Sequence, residues 1–224
     1  MCGEIKPLIN AHIIPRTFFE VLRGTGNYTV LMKPKAAKQS KFLQAGDMDP
    51  DILCCECDNK FSALDDYGFE ILGVPQPKCR YIDPATGNEV GSVIECDTDK
   101  LRRFVLSVLW RASKSKRWNA VSLGHHEPTV LERIFDVTPL SVDEYSMIIH
   151  RLDSSALGDF KLAILPPIRA KCQGVNVYFF YLPGRRILVK VDRRNFKATW
   201  RPYMIGGESD WFPLLDAISR LLGN

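Results

Sequence analysis

The sequence lacks any long apolar run, and no stretch approaches the roughly 20 residues that a membrane-spanning helix requires. The first ten residues, MCGEIKPLIN, have one lysine and only a broken apolar stretch, so they do not have the pattern of a secretory signal peptide. Internal repeats and low-complexity segments are also missing. We therefore expect a protein that makes no membrane contact and is located in the cytoplasm.

The excess of positive charge is small: 30 basic and 26 acidic residues among 224 give a formal net charge of +4. This balance is a weak indication of an anionic partner, so the distribution of the charges matters more than their sum. Hydrophobic residues make up 46% of the chain. That content and length are enough to bury a core in one large domain or two small ones.

The seven cysteines are an odd number and include the packed segment CCEC, which is not typical of a secreted disulfide framework. Cys54 and Cys57 have C-x-x-C spacing, at which a tight turn directs two thiolates at one zinc ion. Cys2 is a natural third ligand, because it precedes the strand that leads to His12. Three explanations for the fourth ligand stay open: a further cysteine before Cys2 in a longer chain, another group such as Cys79, or buried thiols without zinc.

The order of patterns predicts an α+β protein. We expect an N-terminal unit over 1–75 with a basic insertion over 24–50, then a connector over 76–97 with a possible hairpin, and an α+β domain over 98–224. In that last domain the patterns predict helices over 97–113, 126–135, 141–152 and 210–222, a hairpin over 175–191 that turns at Pro183-Gly184, and a strand over 198–205.

One of these helices depends on a local signal. Ser141 and Glu144 have the capping-box spacing ahead of an apolar run, which favours a helix over 141–152. On that helix His150 lies near the C-terminus, where a cation is favourable, and it needs no further role.

His12 lies within the apolar segment LINAHIIPR, and two interpretations of it are open. A histidine with apolar neighbours is commonly a satisfied core residue. Alternatively, its imidazole titrates near physiological pH and can take a proton from the water that attacks a phosphodiester.

The segment AHIIP together with the later CCECDNK resembles the HNH family of His-Me finger (ββα-metal) nucleases. The resemblance implies that His12 is the general base and that Cys54 and Cys57 hold a structural Zn²⁺ with Cys2. It also implies that Asp58, with Asp49 as a second candidate, binds a catalytic Mg²⁺ or Mn²⁺.

The longer pattern LI-x-AHIIPR, ILCCECDNKFS and LRRFVLSVLWRAS is also similar to a group of bacterial proteins described as HNH-like, whose function is unsettled. These resemblances imply an N-terminal zinc-knuckle ββα finger. The helices and strands predicted after it indicate a helical domain packed on a small antiparallel sheet. Ala11 occupies a position where many family members have an acidic metal ligand, which implies fewer protein ligands for a catalytic metal here.

Basic residues with interleaved aromatics occur in two stretches, and lysines are frequent in the insertion. Arginine-rich surfaces with aromatics suit phosphate contact and base stacking, although an ordinary solvated face is the alternative. Such contacts favour non-specific backbone binding over base reading. The expected nucleic-acid contacts are Arg16, Lys33, Lys35, Arg102, Arg103, Arg111, Arg185, Arg186, Arg193 and Arg194.

Taken together, the sequence predicts a metal-dependent endonuclease that acts on nucleic acid, with DNA the favoured substrate. The first alternative is a zinc-stabilised finger that has lost the catalytic metal and only binds nucleic acid. The second is a protein-interaction module, for instance in a phage-defence or toxin system, whose C-terminal domain recognises another protein or a second copy of the chain.

Overall fold

A computed structural model describes residues 1–24, 30–31, 41–42, 48–73, 79–118, 121–152, 164–206 and 211–216. The described chain is mixed α+β, as predicted. Its strands are β1 (Leu8–His12), β2 (Val30–Leu31), β3 (Lys41–Phe42), β4 (Met48–Cys54), β5 (Cys79–Ile82), β6 (Glu89–Glu95), β7 (Met147–Arg151), β8 (Leu165–Cys172), β9 (Val175–Leu182), β10 (Arg185–Lys190) and β11 (Trp211–Asp216). Its α-helices are α1 (Arg16–Gly24), α2 (Cys55–Asn59), α3 (Ser62–Leu72), α4 (Thr98–Lys114) and α5 (Glu127–Phe135), and short 3-10 helices cover Lys116–Trp118, Gly124–His126 and Ala198–Tyr203.

A seven-stranded sheet in the order β5-β6-β11-β7-β10-β9-β8 forms the C-terminal part of the molecule. All neighbouring strands are antiparallel except β11 and β7, which run parallel. The predicted hairpin is confirmed as β9 and β10, whose turn has Gly184 at a φ of 71°. The segment expected to be a connector with a possible hairpin forms the antiparallel pair β5 and β6, which belongs to this sheet.

Helix α4 lies at the centre of the core. The side chain of Asp97 caps its N-terminus by accepting a 2.8 Å hydrogen bond from the Lys100 backbone N–H. Buried residues of α4 such as Phe104 belong to one hydrophobic cluster that also includes Phe18 of α1 and Phe180 of β9. The N-terminal elements and the sheet therefore share a core through this helix. Among the described residues, none of the helices combines the length and apolar character needed to cross a membrane.

Strands β1 and β4 form a separate two-stranded antiparallel sheet, which leads into α2 and α3. Leu8 pairs with Cys54 and His12 pairs with Met48, so both ends of β1 lie beside β4. Helix α3 then packs on α4 at Gly68, where an added Cβ would lie 2.3 Å from the Phe104 ring. This close approach fixes the two-stranded sheet and its helices against the core.

The predicted helix over 141–152 is wrong. A turn occupies its first half, and β7 covers Met147–Arg151 in the middle of the large sheet. Met147, Ile148 and Ile149 are all buried, because a central strand covered on both faces needs a continuous apolar run. Such a short run cannot be distinguished from a helix by its periodicity. His150 consequently lies buried in a strand, not at a helix C-terminus.

Two further elements differ from prediction for related reasons. The start of the predicted helix over 210–222 is strand β11, which lies between β6 and β7, and residues 217–222 lie outside the described residues. The predicted strand over 198–205 is mainly a 3-10 helix that contains Pro202, which has no N–H to donate to a sheet. Each segment has apolar residues that suit either structure, and the tertiary position decides between them.

Candidate functional site

The three predicted zinc ligands come together in space. The Sγ atoms of Cys2, Cys54 and Cys57 all lie within 4.8 Å of one another, and those of Cys2 and Cys54 are 4.0 Å apart. Cys54 ends β4 and Cys57 lies in the short helix α2, so the C-x-x-C turn directs both thiols to the same side. Cys55, between them, is exposed and does not belong to the group.

The segment that carries Cys2 is held in place by pairing and by charge. Leu8 pairs with Cys54 in the strand register, and the Lys6 ammonium bridges Glu4 at 2.7 Å and Glu56 at 2.6 Å. These two hydrogen-bonded carboxylates raise the pKa of Lys6 above its usual value, so its positive charge is retained. The contacts connect the N-terminal segment to α2, which brings Cys2 to the knuckle.

The chemistry of these thiols suits a soft divalent metal. Burial raises the pKa of Cys57 to about 11, while the pKa of Cys2 is lowered, mainly by a backbone hydrogen bond at Glu4 and then by Cys57. Thiolate sulfur is the preferred donor of structural zinc sites, which have four ligands. Among the described residues the group consists of these three thiols. The side chain of Cys79, an alternative fourth ligand, lies outside the described residues.

His12 is the last residue of β1, and its side chain is half-buried. Its backbone carbonyl accepts a hydrogen bond of 3.1 Å from Nη1 of Arg111, a residue of α4. The same guanidinium forms a two-point ion pair with Asp65 of α3, at 2.8 Å and 2.6 Å. Only 1% of the Arg111 side chain is exposed, so three separate elements meet at the His12 backbone through one buried arginine.

Asp58 of α2 lies close to these groups. Burial raises the pKa of its carboxyl group, the positive charges of Arg111 and His12 act in the opposite direction, and the charge of Asp65 acts with burial. Asp58 is half-buried, whereas both Asp65 oxygens are occupied by Arg111. Asp58 is therefore, within the described residues, a carboxylate near His12 whose oxygens are not taken up by Arg111.

Asp49 does not lie on the same side of the two-stranded sheet as His12. It is opposite Ala11 in the β1–β4 register, whereas His12 is opposite Met48, so Asp49 and His12 point to opposite faces of the two-stranded sheet. The Asp49 carboxylate is 2% exposed and accepts hydrogen bonds from Ser115 Oγ at 2.5 Å and from the Asp51 N–H at 2.9 Å. This arrangement fixes β4 to the end of α4 and turns Asp49 away from His12.

The prediction that the arginines of α4 contact nucleic acid is wrong for Arg102, Arg103 and Arg111, which are all buried. Arg102 donates to the carbonyl oxygens of Leu140, Ser141 and Glu144. Arg103 binds Asp99 at 2.6 Å and the carbonyl oxygens of Arg133, Asp136 and Thr138. These guanidiniums satisfy main-chain carbonyls inside the protein, so they do not form the exposed basic strip that nucleic-acid contact would require.

The other expected nucleic-acid contacts have different surroundings. Arg16 is exposed and pairs with Glu20 at 2.8 Å, Arg193 is exposed, and Arg194 pairs with Asp192 at 2.6 Å. Arg185 and Arg186 are half-buried on β10, and burial together with the charge of Arg151 lowers the pKa of Arg185 to about 10. Lys33 and Lys35 lie outside the described residues.

Sequence reasoning missed the pair of Arg111 and Asp65. Arg111 is 46 positions from Asp65 and 99 positions from His12, so no local spacing indicates that they meet. The one available signal was that Arg111 falls within an otherwise apolar stretch of a confident helix.

Comparisons with protein-family models, with curated protein sequences and with solved structures find no match to this chain.

Proposed function

We propose that the chain is a metal-dependent endonuclease whose N-terminal elements form an HNH-like zinc-knuckle ββα finger. The observation that supports it is the order of elements: an antiparallel pair, β1 and β4, leads directly into α2 and α3. The end of β1 carries His12, and α2 carries Asp58 beside the group of three thiols. These are the positions at which the HNH resemblance expects the base, the metal ligand and the zinc site.

In this proposal Cys2, Cys54 and Cys57 hold a structural Zn²⁺. Zinc bound by these thiolates would supply folding energy, as it does in structural zinc sites. It would add to the contacts that already join the N-terminal segment to the knuckle, among them the β1–β4 pairing and the exposed bridge from Lys6 to Glu56.

His12 acts as the general base. In its neutral form the imidazole accepts a proton from water, which then attacks the phosphodiester phosphorus in line with the leaving oxygen. Arg111 fixes the main chain of His12 through its carbonyl oxygen and thereby limits the positions that the ring can take. The His12 imidazole is therefore held in a defined orientation relative to the substrate, and such orientation of a catalytic group is a main source of rate acceleration.

Asp58 provides one hard oxygen donor near His12, and a Mg²⁺-like ion commonly keeps several waters and takes one or two carboxylates. When bound, such an ion neutralises charge on the scissile phosphate and on the leaving oxygen. Asp49 holds β4 to α4 through Ser115 and is assigned a positioning role here. Exposed Arg16, four positions after His12, is the nearest of the expected phosphate contacts along the chain.

The experiment is a cleavage assay with purified full chain, Mg²⁺ or Mn²⁺, and four substrates: supercoiled plasmid, linear duplex DNA, single-stranded DNA and RNA. We expect Asp58→Asn to abolish metal-dependent cleavage. Asp66→Asn is the matched control, because Asp66 is an exposed carboxylate of the neighbouring helix α3. Equal loss in both variants, or cleavage that EDTA does not affect, would contradict the proposal.

A second candidate is a zinc-stabilised finger that has lost the catalytic metal and only binds nucleic acid. Ala11 and the orientation of Asp49 favour it, because they leave few carboxylates for a catalytic metal. Mn²⁺ binding measured by electron paramagnetic resonance separates the two candidates. The nuclease requires a bound Mn²⁺ that is lost in Asp58→Asn. The binding module predicts no Mn²⁺ binding, with retained affinity for nucleic acid.

A further inference from the structure

A second concave site lies in the C-terminal part, where β7 begins and β10 ends. Its cavity measures about 350 Å³, which is within the range of small-molecule sites. Its lining includes His125, His126 and Thr129 from one part of the chain, and Tyr145, Lys190 and Arg193 from others. None of the residues proposed for the nuclease centre lines it.

The acidic side chains of this cavity are already neutralised. Each of the three lining carboxylates forms an ion pair with its own arginine: Asp143 with Arg201 at 2.6 Å, Glu144 with Arg133 at 2.7 Å and Asp192 with Arg194 at 2.6 Å. Within the described part of the chain, in contrast, the exposed guanidinium of Arg193 forms no ion pair. With each lining carboxylate paired to an arginine, Arg193 and Lys190 are the lining cations left to attract an anion.

Lys190 adds to that positive charge from inside the protein. It is only 1% exposed, and its ammonium donates to two neutral acceptors, the backbone carbonyl of Asp143 and, at 3.1 Å, the amide oxygen of Asn195. Within the described residues this uses two of its three N–H groups. Burial lowers the pKa of Lys190, and the nearby charges of Asp143 and Asp192 offset this only in part, because neither carboxylate is in direct contact with the ammonium. An anion in the cavity would add to this compensation.

The part of the cavity lining formed by Tyr145 has a strained backbone. Tyr145 has a φ of 48°, in the left-handed region that a bulky aromatic residue rarely adopts. Such strain costs on the order of 1–3 kcal/mol and persists only where surrounding contacts enforce it. Here the buried Arg102 holds the carbonyl oxygens of Ser141 and Glu144. The turn that carries Tyr145 is thus a rigid part of the cavity.

Aromatic surface lies next to the positive groups. The His125 and His126 rings are 4.1 Å apart between centroids, and the Tyr145 ring meets His126 edge-on at 6.2 Å. Imidazole rings accept stacked nucleobases, and arginine and lysine bind phosphate. The Thr129 hydroxyl is exposed on the first turn of α5 and is available as a further donor.

We propose that this cavity binds a nucleoside phosphate, with the phosphate against Arg193 and Lys190 and the base against the imidazoles of His125 and His126. The nucleotide is either free or the terminal residue of a strand. The site is separate from the nuclease centre and does not depend on the nuclease proposal.

The test is isothermal titration calorimetry of the full chain with AMP, inorganic phosphate and adenosine. We expect saturable binding of AMP, with both fragments weaker. Arg193→Ala should weaken AMP binding at least about tenfold, the value of one charge-assisted hydrogen bond. His125→Ala should also weaken it. Lys197→Ala is the matched control, because Lys197 is exposed nearby but does not line the cavity.

No saturable AMP binding would overturn the proposal, as would AMP affinity that Arg193→Ala and His125→Ala leave unchanged. Arg193 and His125 are both exposed, so their alanine variants are expected to fold. A substitution of the buried Lys190, such as Lys190→Met, is not needed for the test. Phosphate binding as tight as AMP binding would overturn the nucleoside part. Tighter binding of a 5′-phosphorylated dinucleotide would assign the site to a strand end, and tighter binding of AMP to a free nucleotide. His12→Ala should bind AMP as the wild type does.

Discussion

Removal of the Arg111 guanidinium should reduce both the stability of the fold and the proposed activity. Arg111→Ala breaks the two-point pair with Asp65 and removes the donor to the His12 carbonyl. Because Arg111 is 1% exposed and Asp65 19% exposed, the variant leaves a largely buried carboxylate without its partner. Loss of one member of a buried pair costs about 3–5 kcal/mol of unfolding free energy. That is a large part of the 5–15 kcal/mol typical of a domain.

A double variant separates stability from positioning. Asp65→Leu with Arg111→Met replaces the buried charges by apolar side chains of similar size, which is commonly neutral or stabilising. The His12 carbonyl still lacks its donor in this variant. We therefore expect the double variant to recover most of the unfolding free energy but not the rate of plasmid nicking.

Urea unfolding followed by circular dichroism measures the first quantity, and nicking of supercoiled plasmid with Mg²⁺ measures the second. Arg80→Ala is the control, because its pair with Glu89 is exposed and should contribute no more than about 1 kcal/mol. A loss below about 1 kcal/mol in Arg111→Ala would refute the burial argument. Wild-type nicking by the folded double variant would refute the positioning role of Arg111.

Three further predictions concern packing, metal and pH. Gly68→Ala should lower the unfolding free energy by about 1–3 kcal/mol in urea denaturation, because its Cβ would lie 2.3 Å from the Phe104 ring; no loss would mean that α3 and α4 can separate freely. Cys57→Ser should remove zinc measured by inductively coupled plasma mass spectrometry and lower the melting temperature, whereas exposed Cys55→Ser should do neither; equal zinc in both variants would contradict the ligand assignment. Burial, with a smaller contribution from a neighbouring arginine, lowers the pKa of His150 from 6.5 to about 4. The unfolded chain therefore takes up the proton first, and the unfolding free energy should fall as the pH drops from about 6.5 towards 4, by up to about 3 kcal/mol. His150→Leu should remove this component in denaturation curves recorded across that range, and an unchanged pH slope would contradict it.

The parts of the site that the sequence predicted are those that depend on local geometry. The C-x-x-C spacing of Cys54 and Cys57 fixes a turn, and the strand that follows Cys2 returns it to the same place through pairing with β4. The β9–β10 hairpin was predictable for the same reason, since its Pro-Gly turn and its alternating strands are contained within 17 residues, 175–191.

The parts that the sequence did not predict depend on tertiary position. A count of positive charges along α4 could not reveal that Arg102 and Arg111 face inward, because burial is decided by partners far along the chain. The apolar run before His150 suits a helix or a central strand, and only its place between β11 and β10 decides for the strand. The divergence of Asp49 from His12 likewise follows from the strand register and not from spacing.

The most direct test of the proposed function is the rate of supercoiled-plasmid nicking by wild type and by His12→Ala, at equal zinc content and with Mg²⁺ or Mn²⁺ present. If His12 is the base, the wild type nicks the plasmid only with the divalent metal, and the variant loses at least about a hundredfold in rate, the usual value of general base catalysis. Equal nicking by both proteins, or no nicking by a wild type that binds its zinc, would contradict the assignment of His12 as the catalytic base.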